Sequence, residues 1–331
     1  MISEVNEFRR NLVSGDWVLV APGRRKKAPQ KEYEKLSFSK EGCPFENPES
    51  SGNEVISYFP HKDNWEIIVM KNKYPAVHGG VCGPMKNVGP FEIFDADGFH
   101  EIVITRDHDK SFPDFTTEKT FNLLSVYRER YKEIAKDECG QYISIFHNHG
   151  KEAGASIYHP HSQIISTPIL PSDVMKNING AEDFYNKYNK KVHNLIIEWE
   201  VGENKRIVEE NNSFIAFCPF VSKKPYEIRI FPKKQSPHFE EITDDELNSL
   251  AQILNSVLLR LKMALNDPPF NFFIHTAPVK RGTGSINPDY YHWHIEIIPH
   301  LKIDAGFEMG TGIEVNIVDP DEAAENLRNQ K

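Results

Sequence analysis

The chain has 331 residues, of which 39% are hydrophobic and 26% charged, a balance typical of a folded globular protein rather than a disordered or fibrous one. Its formal net charge of −9 argues against non-specific nucleic-acid binding, because such binding depends on lysine and arginine neutralising phosphates. The first ten residues lack the apolar core of a signal peptide, and no apolar run approaches the roughly 20 residues that span a bilayer. We therefore expect a cytoplasmic protein that does not act on membranes.

The cysteines point to the same compartment. There are four of them, Cys43, Cys82, Cys139 and Cys218, and no two form a C-x-x-C pair. Such isolated cysteines are typical of a reducing environment. We expect no disulfide framework.

The first half of the chain predicts a strand, a long helix and two further strands. Alternating apolar residues predict a strand over 99–105. Apolar residues three and four apart predict a helix from about Thr116 to Asp137. A strand over 142–146 follows, and then a strand that carries His159 and His161.

The second half repeats this order. A strand is predicted over 226–231, and Thr243 and Glu246 have the spacing of a capping box at the start of a helix that continues to about 265. A strand over 270–275 follows, and then a strand with a second histidine pair, His292 and His294. The repeat predicts one structural unit present twice.

The predicted fold class is therefore α+β, with two tandem units that each contain a mainly antiparallel sheet and a long packed helix. We place the units at residues 1–176 and 177–331. Residues 38–53 are rich in turn-forming residues and predict a surface excursion. The polar segment 177–191 is expected to link the two units, as a linker or as a helix.

The first histidine strand has the features of a phosphate-handling site. Residues two apart on a strand share a face, so His159, His161 and Gln163 are predicted to form one row. The preceding loop, 148–156, is polar, and Gly150 and Gly154 allow a ligand to approach its backbone. Free backbone amides of this kind suit a phosphate.

Histidine can attack phosphorus because a neutral imidazole is nucleophilic at neutral pH. Gln163 could donate a hydrogen bond to a phosphate oxygen as charge develops there. Two alternatives stay open from the residues alone. Paired imidazoles are also good zinc ligands, and a histidine pair can be purely structural.

The HPHSQ motif at 159–163, preceded by Asn148 and Ser156, resembles that of the galactose-1-phosphate uridylyltransferase family of the histidine-triad superfamily. The resemblance extends over nearly the whole chain. It includes RRNLVSGDWVLVAPGR at 9–24, NKYP at 72–75 and HWHIEIIP at 292–299. The segment GFEMGTG at 306–312 is similar to the branch that also contains ADP-glucose phosphorylase.

The resemblance implies two HIT-like units and a ping-pong mechanism, in which His161 takes a nucleoside monophosphate from a nucleotide sugar and passes it to a sugar 1-phosphate. Gln163 and His159 would share the catalytic strand with it. The residues implied in substrate binding are Arg24, Asn72, Asn148, Ser156, Gln163, Lys302, Phe307 and Glu308. No organic cofactor is implied.

The resemblance also implies a zinc site, at positions occupied here by Cys43, Glu46, His108 and His159. Glu46 stands where the family often has a second cysteine. A glutamate oxygen can bind zinc, so zinc remains possible, but this ligand set is not typical of a structural zinc site.

A second metal of the family would lie near His275, His292 and His294. The position of its carboxylate ligand is occupied by Asn177, so we expect this site to lack a fourth ligand. The second histidine pair is then a degenerate copy of the first, packed or hydrogen-bonded inside the second half. Trp293 is expected to lie in the core, and the glycine-containing segment 281–285 corresponds to the glycine loop of the first half.

The predicted function is transfer of UMP from UDP-glucose to galactose 1-phosphate through a covalent intermediate on His161, in a homodimer. One alternative keeps this histidine but transfers AMP from ADP-glucose to inorganic phosphate. Further alternatives are a nucleotide-binding module without turnover and a dinucleotide hydrolase.

Overall fold

The computed structural model describes residues 5–27, 39–79, 83–279 and 287–330. Its strands are β1 (Glu7–Arg10), β2 (Trp17–Val20), β3 (Val55–Phe59), β4 (Ile67–Lys71), β5 (Lys86–Val88), β6 (Phe91–Ile93), β7 (His100–Thr105), β8 (Tyr142–His149), β9 (His161–Thr167), β10 (Ile207–Glu210), β11 (Phe214–Phe217), β12 (Ile228–Pro232), β13 (Phe270–His275), β14 (His294–Pro299) and β15 (Glu314–Asn316). Its helices are α1 (Thr117–Ile134), α2 (Ser172–Tyr188), α3 (Val192–Glu203), α4 (Asp244–Leu265), α5 (Gly306–Thr311) and α6 (Pro320–Arg328).

One sheet of ten strands forms the body of the molecule, in the order β10-β11-β12-β14-β13-β8-β9-β7-β4-β3. Every neighbouring pair in it is antiparallel. Read inward from its two edges, the order is β3, β4, β7, β9, β8 on one side and β10, β11, β12, β14, β13 on the other. The same five-strand arrangement thus occurs twice, which confirms the predicted duplication and the α+β class.

The two long helices occupy equivalent places in the two units. Each follows the third strand of its unit, and each begins at a threonine cap that satisfies a free backbone amide of the first turn. The Thr116 side chain accepts from Lys119 N, and Thr243 forms the predicted capping box with Glu246. α1 and α4 also contact each other, and Thr120 Oγ1 donates to Asn255 Oδ1 over 2.5 Å.

The hydrophobic core lies between these helices and one face of the sheet. It is continuous across the two units, because α1, α4 and strands from both halves contribute to a single cluster. Trp293 belongs to this cluster and is 2% exposed, as predicted. The opposite face of the sheet is therefore the one left for polar chemistry.

Two smaller sheets flank the body. β1 and β2 form an antiparallel pair, and β15 joins β2 in parallel. This pairing brings the C-terminal segment, including α5 and α6, back to the beginning of the chain. β5 and β6 form a separate exposed hairpin.

The predicted boundary at 176/177 falls inside α2, and the segment 177–191 is largely helical. The boundary itself stays a prediction, because the two units share one sheet. No helix among the described residues is long and apolar enough to cross a membrane.

The cysteine prediction was wrong in one respect. Cys43 and Cys218 are free, whereas Cys139 is disulfide-bonded.

Candidate active site

His161 is the first residue of β9, a strand with a partner on each side. It pairs with Ile104 of β7, and the neighbouring Ser162 pairs with His147 of β8. The side chain of Ser162 faces the helices, where it accepts a 2.5 Å hydrogen bond from Tyr127. His161 therefore projects from the opposite face of the sheet, away from the core.

The imidazole of His161 is held in one orientation and in one tautomer. Its Nδ1 lies 2.9 Å from the backbone oxygen of His159, which can only accept a hydrogen bond. Nδ1 therefore carries the proton, and Nε2 has a free lone pair. Burial lowers the pKa of His161, whose ring is 6% exposed and stands edge-on to Phe45. Such an imidazole is neutral at pH 7 and can act as a nucleophile.

His159 lies just before the first residue of β9. Its ring packs edge-on against Phe45, as the ring of His161 does, and the predicted row of His159, His161 and Gln163 stays a prediction. His159 Nε2 donates to Thr105 O over 2.6 Å, and its Nδ1 faces Cys43. His159 also supplies its carbonyl oxygen to Nδ1 of His161.

Gln163 lies in a group of polar side chains that includes one residue missed in the sequence. Its Oε1 is 2.8 Å from His100 Nε2, and His100 Nδ1 accepts from Ala76 N. Asn72 joins this group, since its Nδ2 is 2.9 Å from His100 Nε2 and its Oδ1 accepts from Tyr74 N. His100 lies in a predicted strand, but no spacing rule linked it to a glutamine 63 residues away.

Asn148 and the glycine loop border the site on the side of β8. Gly150 and Gly154 have φ values of +83° and +86°, so the loop does use the backbone freedom expected of them. Ser156 is exposed at the end of the loop. Asn148 is half-buried and accepts a 2.7 Å hydrogen bond at its Oδ1 from Asn271 of the second half. No motif or spacing in the sequence selected Asn271.

Cys43, Glu46, His108 and His159 come together as the resemblance implied. Glu46 Oε1 lies 2.8 Å from His108 Nδ1 and 3.6 Å from His159 Nδ1, and Cys43 Sγ lies 3.7 Å from His159 Nδ1. Ligands of a tetrahedral zinc ion lie about 3 to 4 Å apart, since their bonds are about 2.0 to 2.3 Å long. The hydrogen bond from His159 Nε2 to a backbone carbonyl is a common support for a metal-binding histidine. These residues therefore fit a divalent metal.

The second-half histidines form a different arrangement from the one implied. His292 has a backbone oxygen near each ring nitrogen, at 3.2 Å and 2.9 Å, so it is hydrogen-bonded inside the second half as predicted. Asn177 lies on α2 and donates to a carbonyl of the same helix. Both ring nitrogens of His292 are thus engaged by backbone carbonyls, so this histidine offers no nitrogen to the implied metal.

A carboxylate missed in the sequence lies beside the other two histidines. Glu296 is 2.7 Å from His275 Nε2, and the two form a possible metal group with His294. Glu296 also pairs with Arg229 at 3.2 Å, and this fixed cation holds the pKa of the glutamate well below its usual value despite burial. Arg229 thus already supplies positive charge to the group. The segment 281–285 lies outside the described residues.

Three of the residues implied in substrate binding, Lys302, Phe307 and Glu308, lie near the C-terminus. Lys302 Nζ pairs with the Glu308 carboxylate, and this hydrogen bond lowers the pKa of Glu308 to about 2. Phe307 is 46% exposed beside them. Arg24 is exposed in a short 3-10 helix after β2. No contact between described residues joins these four side chains to His161.

A mostly apolar cavity of about 420 Å³ lies elsewhere, between residues 10–13 and the second half. It is lined by residues of α3, β11 and β12, including Trp199, Phe217 and Phe231. None of the residues predicted for the catalytic site lines it. The candidate site at His161 is selected by its chemistry and not by cavity size.

Comparisons with known proteins show which proteins this chain is similar to. A family model described as "Galactose-1-phosphate uridyl transferase, N-terminal domain" matches residues 2–171, and one described as "Domain of unknown function (DUF4921)" matches residues 96–330. ADP-glucose phosphorylase of Arabidopsis thaliana is 31% identical, over 97% of this chain and 92% of the relative. Galactose-1-phosphate uridylyltransferase of Thermotoga maritima is 28% identical, over 97% and 98%.

Solved structures of an ADP-glucose phosphorylase and of a uridylyltransferase are also similar to this chain. The crystal structure of an ADP-glucose phosphorylase from Arabidopsis thaliana with bound ADP-glucose matches with a TM-score of 0.84 and 30% identity, covering 99% of this chain and 100% of that one. A structure of uridylyltransferase matches with a TM-score of 0.74 and 27% identity, covering 98% and 97%.

Proposed function

Since the chain belongs to the galactose-1-phosphate uridylyltransferase family, we propose that it transfers a nucleoside monophosphate from a nucleotide sugar through a covalent intermediate on His161. The observation that carries this proposal is the hydrogen bond from His161 Nδ1 to the carbonyl of His159, which leaves the Nε2 lone pair available for attack.

In the first step, His161 Nε2 attacks the α-phosphorus of the nucleotide sugar. A nitrogen–phosphorus bond forms, and the bond from the α-phosphorus to the bridging oxygen breaks, so that sugar 1-phosphate leaves with the electron pair. In the second step, a phosphate oxygen of the acceptor attacks the same phosphorus and releases His161 as the neutral base. The acceptor, and not water, takes the nucleotide.

Charge that develops on the non-bridging oxygens needs hydrogen-bond donors. Gln163, Asn148 and Ser156 are proposed for this task, together with backbone amides of the glycine loop. We propose that Arg24 contacts a phosphate, that Asn72 contacts the nucleotide or its phosphate, and that Lys302, Phe307 and Glu308 contact the sugar. The pairing of Lys302 with Glu308 leaves a carboxylate that can accept hydrogen bonds from sugar hydroxyls.

The first candidate reaction is transfer of UMP from UDP-glucose to galactose 1-phosphate. It is supported by the family model and by the uridylyltransferases among the relatives. The second candidate is transfer of AMP from ADP-glucose to inorganic phosphate. It is favoured by a specific observation, the likeness to an ADP-glucose phosphorylase over 97% of the chain and to its structure with bound ADP-glucose.

Zinc is proposed as the metal of Cys43, Glu46, His108 and His159. Bound there, it would supply structural cross-linking rather than a reacting centre. Its effect on catalysis would pass through His159, whose ring faces the metal group while its carbonyl orients His161. We also propose that the protein is a homodimer and that it is located in the cytoplasm.

The test is to incubate the protein with UDP-glucose or with ADP-glucose and to measure its intact mass. An increase of one UMP or one AMP, located on His161 by peptide mapping, identifies the donor. The isolated adduct is then offered galactose 1-phosphate, inorganic phosphate or buffer alone. Rapid discharge in buffer would instead indicate a dinucleotide hydrolase, and tight nucleotide binding with no adduct would indicate a binding module.

A further inference from the structure

One polar side chain of the second half of the chain, that of Asn271, lies at the proposed catalytic site of the first half. Asn271 of β13 pairs directly with Asn148 of β8, at the junction between the two units. Its side-chain nitrogen makes two hydrogen bonds, one to Asn148 Oδ1 at 2.7 Å and one to Ala153 O at 2.8 Å. Asn271 therefore contacts both a proposed phosphate donor and the glycine loop.

These contacts determine which way each amide is turned. The oxygen of Ala153 is a backbone carbonyl and can only accept, so the Asn271 atom that faces it must be the NH₂ group. The remaining oxygen of Asn271 faces His300 Nε2, which can donate to it. Because the same NH₂ group lies 2.7 Å from Asn148, the Asn148 atom at that contact must be its acceptor oxygen.

Once the oxygen of Asn148 is engaged, its NH₂ group points to the other side. A Cβ atom placed on Gly154 would lie 3.8 Å from Asn148 Nδ2, so this NH₂ group faces the glycine loop. That is the side on which we place the transferred phosphate.

We propose that Asn271 is a positioning residue, which fixes the amide of Asn148 so that its two N–H bonds face the reacting phosphate. The inference rests on the proposed function, because it assigns Asn148 to the phosphate. It also gives the second unit a part in the chemistry of the first. A donor that is already oriented costs no reorganisation when charge develops in the transition state.

Asn271→Asp tests the idea with a side chain of the same shape. The new carboxylate places an oxygen where the NH₂ group was, so it repels Asn148 Oδ1 and attracts the Asn148 NH₂ group instead. We expect the rate of adduct formation on His161 in a single turnover to fall about a hundredfold, the order found when one oriented donor is lost. The affinity for the nucleotide sugar should change much less.

A double-mutant cycle separates positioning from a general structural effect. If Asn271 acts through Asn148, N271D should slow the N148A protein little further, because the amide that it turns is gone. If the fold reductions in rate caused by N271D and by N148A multiply fully in the double mutant, the proposal is wrong. Asn211→Asp is the matched control. It removes one amide donor at the turn between β10 and β11 and should leave the rate unchanged.

A binding measurement keeps the test independent of turnover. In wild type, UMP and AMP should bind more tightly than uridine and adenosine. N271D should lower the ratio of nucleotide affinity to nucleoside affinity about tenfold, because nucleotide affinity falls while nucleoside affinity stays unchanged. If wild-type protein forms no adduct, the proposed function fails, and this comparison still decides the role of Asn271. If wild type and N271D show the same ratio of nucleotide to nucleoside affinity, the inference about Asn271 is wrong, and the proposed function is unaffected.

Discussion

His161→Gly removes the proposed nucleophile and little else. The side chains of Gln163 and Asn148 are held by His100 and Asn271, not by His161. The backbone of β9 keeps its pairing with β7 and β8. The variant should therefore keep the substrate site while losing the atom that forms the covalent bond.

The size of the effect follows from the role. Covalent catalysis by this residue should lower the barrier by more than about 3 kcal/mol, so turnover should fall at least about a hundredfold. The loss of stability should be smaller. One hydrogen bond, to His159 O, contributes about 0.5 to 1.5 kcal/mol, and glycine inside a strand costs about 0.5 to 1 kcal/mol. The free energy of unfolding should thus fall by about 1 to 2.5 kcal/mol.

The matched control is His294→Gly in the second unit. His294 also begins its strand, is also 6% exposed, and also donates from Nδ1 to the carbonyl two residues before it, at 3.1 Å. Both variants should lose comparable stability in urea unfolding. Only His161→Gly should lose the nucleotide adduct in intact-mass measurements and the turnover of UDP-glucose or ADP-glucose.

Two results would refute this reasoning. Turnover of His161→Gly above a hundredth of the wild-type rate would show that the histidine is not the nucleophile. Equal loss of activity in His294→Gly would show that stability, and not chemistry, explains the effect.

Three further predictions concern pH and metal. Because burial lowers the pKa of His161, the rate of adduct formation should be flat above pH 6.5 and fall only as pH drops through that lowered value, in a stopped-flow pH series. Elemental analysis should find one zinc per chain, and Cys43→Ala should lose it and also slow adduct formation, whereas unchanged metal content would reject the ligand set. Burial lowers the pKa of His193 from 6.5 to about 3, so between these values the unfolded chain binds more protons and acid destabilises the fold. Urea unfolding at pH 7.5 and 5.0 should therefore show a loss about 2 kcal/mol larger in wild type than in His193→Gln, and equal losses would contradict the buried neutral state.

Local sequence patterns predicted the elements well. The capping box at Thr243 and the long helices were confirmed, because helix caps and apolar periodicity depend on residues within a few positions of each other. The duplication also followed from the order of elements. The start of β9 was less accurate, since pairing with Ile104 begins only at His161 and leaves His159 outside the strand.

The candidate site was predicted only in part, for a physical reason. Cys43, Glu46 and His108 are brought together as the resemblance implied, whereas His100 and Asn271 were missed. Both missed residues act across strands, on partners that are 63 and 123 positions away. Such contacts depend on strand register and sheet order, which no local pattern contains.

The pairing of β8 with β13 has a consequence for the engineering of this molecule. It joins the two copies through a central ladder instead of a flexible tether, so neither copy has a free edge at the junction. Dividing the chain there would create two unprotected strand edges, which in other proteins favour aggregation. Each copy therefore depends on the other for the protection of its edge strand.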